Sequence, residues 1–495
     1  MRKKIIGSFL FSLFLVACTL VNLKATAVPE PTVIPPRTVI PSPPPTITPT
    51  AESVEGQPLP SPKPALPSPT PVIPPPQTIL LVMVDALRSD HVSSYGYSRP
   101  TTPNLDALVA AQGARFARAV TTAPWTCPSV AAMLTGRTPS SLGVSWLTLK
   151  NSIPEQANTL AEYLQQAGYL TAGFVSTYCN KSRLGFSQGF DYYYDTLTDR
   201  PTSDKARAVD INAHAIEWLQ NSWLPQAGNG QPLFLFLYYF DPHVWYDPLP
   251  PYDTLYDSDY SGWLTPAVYR DSQDAVAGKI TLSERDLRHL IALYDGEITY
   301  WDTYFGQMIT FLEEKHLLDN ALMLVTADHG ESLGEHGKWT HGSSLYEEVL
   351  RVPLLMRYSG VIPAGVVVES PAQNFDLTPT ILDWAGVALP QDLQALSLRS
   401  AALGETSAPQ RQLFSEVDAL LDKKNALYWA APRISLRMVE QGDWKLLHYL
   451  EQPQLDELYL LQPSSLYEQE NLILSEPHRA EQLLQDLNNW FDLAP

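Results

Sequence analysis

The 495-residue chain contains only three cysteines, at positions 18, 127 and 179, so a disulfide-built scaffold and a cysteine metal cluster are both excluded. It has no internal repeat, which removes solenoids and propellers. No Lys/Arg cluster interrupts a formal net charge of -20, and that acidic background repels polyanions, so nucleic acid is not an expected partner. The N-terminal apolar run, Ile5 to Ala17, is too short to span a bilayer comfortably. Between Val28 and Pro76 aromatic residues are absent altogether, while 19 of those 49 residues are proline. Such a stretch cannot pack a core and reads as an extended stalk. The whole chain is 45% apolar, enough for a large buried interior.

The termini of that stalk carry information of their own. Arg2, Lys3 and Lys4 followed by the apolar run have the form of an export signal over residues 1–17. Its end, "LVAC", resembles the bacterial lipobox, in which cleavage leaves Cys18 as the lipid-bearing first residue; an ordinary cleaved signal with Cys18 incidental is the alternative. The expectation is an extracytoplasmic lipoprotein of a bacterial cell membrane, tethered by a lipid and not by a spanning helix, or else a secreted protein. Residues 18–77 are then the stalk, 78–404 an α/β catalytic domain and 405–495 a small α+β subdomain. Cys127 and Cys179 could be joined in an oxidising compartment, but two small buried thiols are the expected state.

From residue 78 short apolar runs alternate with helical patterns, the signature of a mainly parallel α/β sheet. "TILLVMV" (78–84) leads into Asp85, "PLFLFLYYF" (232–240) into Asp241 and His243, and "ALMLVTA" (321–327) into Asp328 and His329. Ligands in open α/β sheets gather beyond the carboxyl ends of strands, so acids and imidazoles from three strands can converge there. The segment 283–319 has helical spacing and an acid-rich start and reads as scaffold; His289 and His316 on it read as surface or packing residues. The stretch "TCPSVAAMLTG" (126–136) reads as a helix with Pro128 in its first turn and Gly136 as its stop. Thr126 at its head either caps the helix or presents a hydroxyl to free N–H groups and the positive helix end, which favour an alkoxide and an anionic ligand.

Five blocks decide between those readings: "VMVDALRSDHVSSYGYSRPTTPNLDALVAAQGARFARAV", "APWTCPSVAAMLTGR", "FDPHVWYDPLPPY", "TADHGESLGEHGKWTHGSSLYEEVLRVPLLMRYSG" and "GDWKLL". Their order and spacing over roughly 78–495 resemble the sulfatase family of the alkaline phosphatase superfamily. The resemblance implies a metal-dependent hydrolase with a large α/β domain, a small C-terminal one and a nucleophile at the head of the "PS…LTG" helix. In the sulfate-cleaving members that residue is a cysteine or serine converted to formylglycine.

This chain departs from the pattern in four places. Thr126 holds the nucleophile position, with Cys127 at the unspecific one; Val130 replaces the motif's arginine; Asp85-Ala86 replaces a paired Asp-Asp; and "GFVSTYC" (173–179) lacks a lysine and a histidine. Threonine bears a methyl group on Cβ and cannot become an aldehyde, so no formylglycine is expected. Asp85, Thr126, Asp328 and His329 form a mixed N/O ligand set that suits one divalent metal, zinc or manganese better than calcium. His243 and His341 match positions that contact ester oxygens or protonate the leaving group, and Arg88 is a further anion contact. His336 reads as structural, and His91 and His214 have no assigned role. A second metal on Asp241, His243 and His341 is the two-metal alternative, disfavoured by the Asp-x-His spacing.

The function expected is hydrolysis of phosphate mono- or diesters, phosphonates or sulfate esters, phosphoryl substrates favoured, the substrate being a small molecule or a glycan or lipid ester. A sulfatase proper, a phospho-headgroup transferase and a non-catalytic binding lipoprotein are the competing readings. The loop 244–280, rich in Tyr, Trp and Asp, is the expected specificity element, suited to a sugar or an aromatic group.

Overall fold

Strand β1, Thr78–Val84, is buried along its whole length, as are β5, Leu233–Tyr239, and β6, Ala321–Ala327. Near-continuous apolar runs of this kind belong to strands covered on both faces. These coordinates of the chain are those of a computed structural model, which describes residues 73–145, 151–176, 179–195, 206–226, 230–265, 282–405, 411–420, 433–461 and 468–492. The expected signal, Cys18 and nearly all of the stalk fall on residues 1–72, outside the described residues, as do residues 266–280 of the loop 244–280.

The main sheet is completed by β2, Ala114–Phe116, β3, Leu170–Val175, β4, Tyr192–Asp195, β7, Leu354–Tyr358, and β8, Val366–Val368, in the order β8-β2-β7-β6-β1-β5-β3-β4. Only β7 runs antiparallel to its neighbours, so the sheet is mainly parallel, as expected. Register is what builds the functional edge. Val84 pairs with Tyr239 on one side and Ala327 on the other, which brings Asp85 and Asp328 level, one residue past the strand ends.

Two helices bear on that edge. Helix α1, Thr126–Thr135, is fully buried and stops at Gly136, whose φ of 66° is the left-handed cap glycine supplies at no steric cost. Helix α2, Glu284–Glu314, starts at a Ser283/Asp286 capping box and buries one face against the sheet, confirming the scaffold reading of this segment. His289 on it is buried, stacked on Tyr260 at 3.7 Å, whereas His316 beyond its end is exposed.

The C-terminal layer is a four-stranded antiparallel sheet of β9, Gln412–Leu420, β10, Arg433–Gln441, β11, Trp444–Tyr449, and β12, Glu457–Leu460, backed by helix α3, Pro477–Asp492. Leu483 and Leu487 of α3 pack with Phe414, Val439, Leu446 and Leu458. Strand β9 also grips the segment that leads into α1: Glu416 N–H donates to Thr122 O (2.9 Å) and Ser415 Oγ to Thr121 O (2.6 Å).

Two features differ from the reading of the sequence. The described residues 73–77, read as the end of the stalk, lie against the main layer. Ile73 packs on the core, and the carbonyls of Pro74 and Pro76 accept from Tyr358 (3.1 Å) and Tyr169 (2.8 Å), acceptors that proline retains although it lacks an N–H. Second, Cys127 and Cys179 are not two separate thiols; they form a disulfide, with Cα atoms 5.0 Å apart across 52 residues of chain. On the loop-entropy picture such a crosslink stabilises the fold by about 4 kcal/mol. Among the described residues no helix is long and apolar enough to cross a membrane.

Candidate active site

Asp85, Asp328 and His329 are completely buried at the carboxyl edge of the main sheet. Each offers one ligand atom, and these atoms lie within 4.8 Å of one another. His329 Nε2 is 3.4 Å from Asp85 Oδ1 and 3.5 Å from Asp328 Oδ2, and Thr126 Oγ1 is 3.3 Å from the same Nε2. His329 Nδ1 lies 2.8 Å from Gly330 O, so the Nδ1 proton is spent on that carbonyl and the Nε2 lone pair faces the cage. The four residues expected to hold a metal therefore meet at one point.

Thr126 is the first residue of α1, not its cap. Trp125 occupies the cap position, and no side chain caps the helix. The hydroxyl is thus left for the cage. The helix head is fixed by a network the sequence reading did not include. Thr121 Oγ1 and Ser129 Oγ both donate to the main-chain carbonyl of Asp328 (2.6 Å each), and Asn374 Nδ2 donates to both hydroxyls (3.0 and 2.6 Å). Ser129 was visible in the motif, but its partner is a peptide group, which no side-chain pattern announces.

The carboxylate of Asp328 is held entirely by neutral donors. Oδ1 accepts from the N–H groups of Ala86 (3.2 Å) and His329 (2.9 Å), and Oδ2 from the Tyr238 hydroxyl (2.7 Å). Tyr238 is kept protonated, its pKa raised well above the usual phenol range by burial and by the charges of Asp328 and Asp85. Ala86 sits in the left-handed region, φ 59°, a conformation that costs about 1 kcal/mol or more for a residue with a Cβ. Tyr294 of α2 holds it there, donating to Ala86 O (2.7 Å) and accepting from Arg88 N–H (3.1 Å). The scaffold helix therefore shapes the metal edge directly.

His341 and His243 stand beside the cage, their rings 4.8 Å apart, and the His341 ring is 4.2 Å from that of His329. His341 Nδ1 is 3.0 Å from Glu331 Oε1, which orients the ring. His243 Nδ1 is 2.6 Å from Val244 O. Burial, with the neighbouring His341, pushes the His243 pKa well below the usual imidazole value, so this ring is neutral.

One expected participant, Arg88, and Asp241 of the disfavoured two-metal alternative are elsewhere. Arg88 is 1% exposed and is spent on structure: its guanidinium pairs with Asp90 (2.7 Å) and Glu335 (2.7 Å) and donates to Glu331 O (3.0 Å). It braces the loop that carries Glu331 and does not face the cage as an anion contact. The loop needs Gly330 for this, since a Cβ there would lie 2.1 Å from Glu348 O. Asp241 does not join His243 and His341 in a second metal set. It lies two residues past Tyr239, where the level position is Phe240, and its carboxylate accepts from Ala208 N–H (2.7 Å). His91 pairs with buried Asp295 (2.6 Å) and His214 with Tyr194 (2.7 Å), both apart from the cage residues.

A second group of buried acids lies where the C-terminal layer meets the main one. Lys445 bridges Glu347 (2.9 Å) and Glu468 (2.7 Å), Arg118 binds Glu347 and Glu440, and His336 lies 3.0 Å from Glu348 and 3.0 Å from Glu468 O, stacked on Tyr346. Burial alone would lower the His336 pKa, but the hydrogen bond and charge of Glu348, with Glu468, raise it to about 9. The structural reading of His336 is met.

The sulfatase family model matches residues 77–387, and the model of the C-terminal region of N-sulphoglucosamine sulphohydrolase matches residues 334–490. An arylsulfatase of Clostridium perfringens is 26% identical over 381 residues, 65% of this chain and 77% of that protein. A choline-sulfatase of Rhizobium meliloti is 27% identical over 422 residues, covering 76% and 79%. Among solved structures, a phosphonate monoester hydrolase from Silicibacter pomeroyi superposes with a TM-score of 0.64 at 24% identity, covering 84% of this chain and 94% of that one.

Proposed function

The chain belongs to the sulfatase family of ester-bond hydrolases, and from that premise we propose that it cleaves phosphoryl esters, whether mono- or diesters or phosphonates, with Thr126 as the nucleophile. The observation that carries this reading is the position of Thr126 Oγ1, uncommitted to helix capping and 3.3 Å from the Nε2 of His329 in the Asp85–Asp328 cage.

The donor set fits a divalent ion, since two buried carboxylates, a hydroxyl and an imidazole with its lone pair turned inward supply both charge and ligands. One such metal, zinc or manganese in preference to calcium, would lower the pKa of the Thr126 hydroxyl and offset charge on the ester oxygens. Thr126 Oγ1, its proton given up to solvent water, attacks phosphorus and forms the P–O bond to threonine while the bond from phosphorus to the leaving-group oxygen breaks. His341, oriented by Glu331, gives that oxygen its proton, and His243, neutral and adjacent, hydrogen-bonds the remaining oxygens. The first-turn N–H groups of α1 face the negative charge. Water attacks the Thr126 ester in the second half and restores the hydroxyl.

Phosphorus is favoured over sulfur because a sulfate ester on threonine has no hemiacetal route of collapse, the route open to formylglycine. Sulfate esters are the second reading, and transfer of a phospho-headgroup or non-catalytic binding are weaker ones. Thr126→Ala in the full chain is expected to lower turnover of nitrophenyl phosphate, diester or phosphonate about 10³-fold or more. Unchanged turnover removes Thr126 as nucleophile, and cleavage of nitrophenyl sulfate alone overturns the phosphoryl preference. The N-terminal signal supports a site of action outside the cytoplasmic membrane, tethered through Cys18. Cys18→Ser should move the protein from the membrane pellet to the soluble fraction, and retention in the pellet refutes the tether.

A further inference from the structure

Arg207 is the residue before the helix Ala208–Trp218 and reaches the loop that carries His243. Its Nη2 donates to Asp247 O (3.0 Å) and lies 3.3 Å from Asp247 Oδ2, while Nη1 lies 4.0 Å from Asp241 Oδ1 and 3.8 Å from Glu297 Oε1. Asp241 stands two residues before His243, and Asp247 stands four residues after it. One guanidinium therefore holds both ends of the stretch. A planar fork can do this because its arms are fixed relative to each other.

Within the stretch the His243 ring is set by the loop itself. Nδ1–H donates to Val244 O (2.6 Å), so the ring follows the backbone beside it. That backbone places it 4.8 Å from the His341 ring and 6.4 Å from the His329 ring.

The loop is also tied to the part of α2 that shapes the cage. Glu297 Oε1 accepts from Asp247 N–H (3.0 Å), and the Tyr246 ring packs edge-on against Tyr294 at 5.4 Å. Tyr294, three residues before Glu297 on α2, donates to Ala86 O at the cage edge. Asp241 and Glu297 are completely buried, so their charges need a cation beside them, and Arg207 supplies one where loop and helix meet. The separation of His243 from the Asp85–Asp328–His329 edge is thus set through one turn of one helix, with Arg207 as the clasp.

We propose that Arg207 is a positioning residue that sets the His243 ring against the reacting ester; the assignment rests on the reading of His243 as a contact of the ester oxygens. The test is a double-mutant cycle in the full chain, read on whichever nitrophenyl ester it turns over, phosphate, phosphonate or sulfate. Arg207→Lys keeps the charge that the buried acids need and loses the fork, and is expected to lower kcat about tenfold with KM within about twofold. In a His243→Ala chain the same substitution should cost less than about twofold, because the ring it positions is gone. Asp247→Asn is the milder variant, removing one charged arm of the clasp at a half-buried position; its expected loss is about threefold and likewise vanishes in His243→Ala. Losses of equal size with and without His243, or no loss from either variant, overturn the assignment and leave the hydrolase reading standing. If the unmutated chain turns over none of the three esters, the hydrolase reading is what fails, and the cycle is read by calorimetric binding of inorganic phosphate. Coupling between Arg207 and His243 in that binding keeps the assignment; additive effects, or no binding, overturn it.

Discussion

Two groups of buried acids and histidines in this molecule have nearly the same composition and opposite electrostatics. Around Asp85, Asp328 and His329, the Asp328 carboxylate is satisfied by two backbone N–H groups and a phenol, all neutral. Around Glu347, Glu348 and Glu468 the neutralising charge comes from the chain itself, in Arg118, Lys445 and His336. Neutral donors orient a carboxylate without cancelling its charge, so the first group keeps its attraction for a cation from solution. Internal cations cancel it, so the second group spends its charge on fastening the C-terminal layer. Both could hold a metal by distance alone; the donors behind the carboxylates separate them.

Breaking each group should give different losses. Asp328→Asn keeps the shape and removes the charge, and its expected effects are loss of bound metal from the purified protein and a fall in turnover of about 10²-fold or more. Full metal content in the variant, by elemental analysis, would show that the cage does not depend on that charge. Lys445→Met acts on the other group, leaving Glu347 and Glu468 short of one buried cation. A loss of about 3–5 kcal/mol in unfolding free energy is expected, with turnover per folded molecule within a few-fold of the unmutated chain. A metal loss in this variant would erase the distinction between the two groups. The smallest effect is in pH. His336 has a folded pKa of about 9 against an ordinary value of 6.5, so its contribution is complete below pH 6.5 and disappears as pH rises through 9. Stability should fall over that window by on the order of 1–3 kcal/mol, and a His336→Gln variant should lose that part of the slope. An unchanged slope in the variant means the proton is held elsewhere.

Much of this was readable from the chain because apolar runs of the right length name buried parallel strands, and the residue after each run lands on the functional edge. That logic placed Asp85, Asp328 and His329; the helix pattern left Thr126 open between a cap and a reactive hydroxyl, and the family resemblance chose between them. The Asp-x-His spacing already disfavoured Asp241 as a metal ligand, and in the structure the position level with Asp85 and Asp328 belongs to Phe240. The reading failed at Arg88 because Glu331 and Glu335, which join Asp90 around its guanidinium, arrive only when the loop after β6 folds back. The Cys127–Cys179 bond required knowing that the end of β3 approaches the head of α1, which composition does not encode. Tyr238 and Tyr294 lie on elements read as core and scaffold, where a phenol looks like packing until its hydroxyl is traced. Strand β9 escaped because its span mixes polar and apolar residues without a clean alternation.

The hydroxyls of Thr121 and Ser129 grip a peptide carbonyl of Asp328 and not any atom of residue 126. The mounting and the side chain it carries are therefore separate parts. The side chain at position 126 is an interchangeable fitting on a fixed bracket: a serine or a cysteine could be exchanged for the threonine without rerouting the backbone.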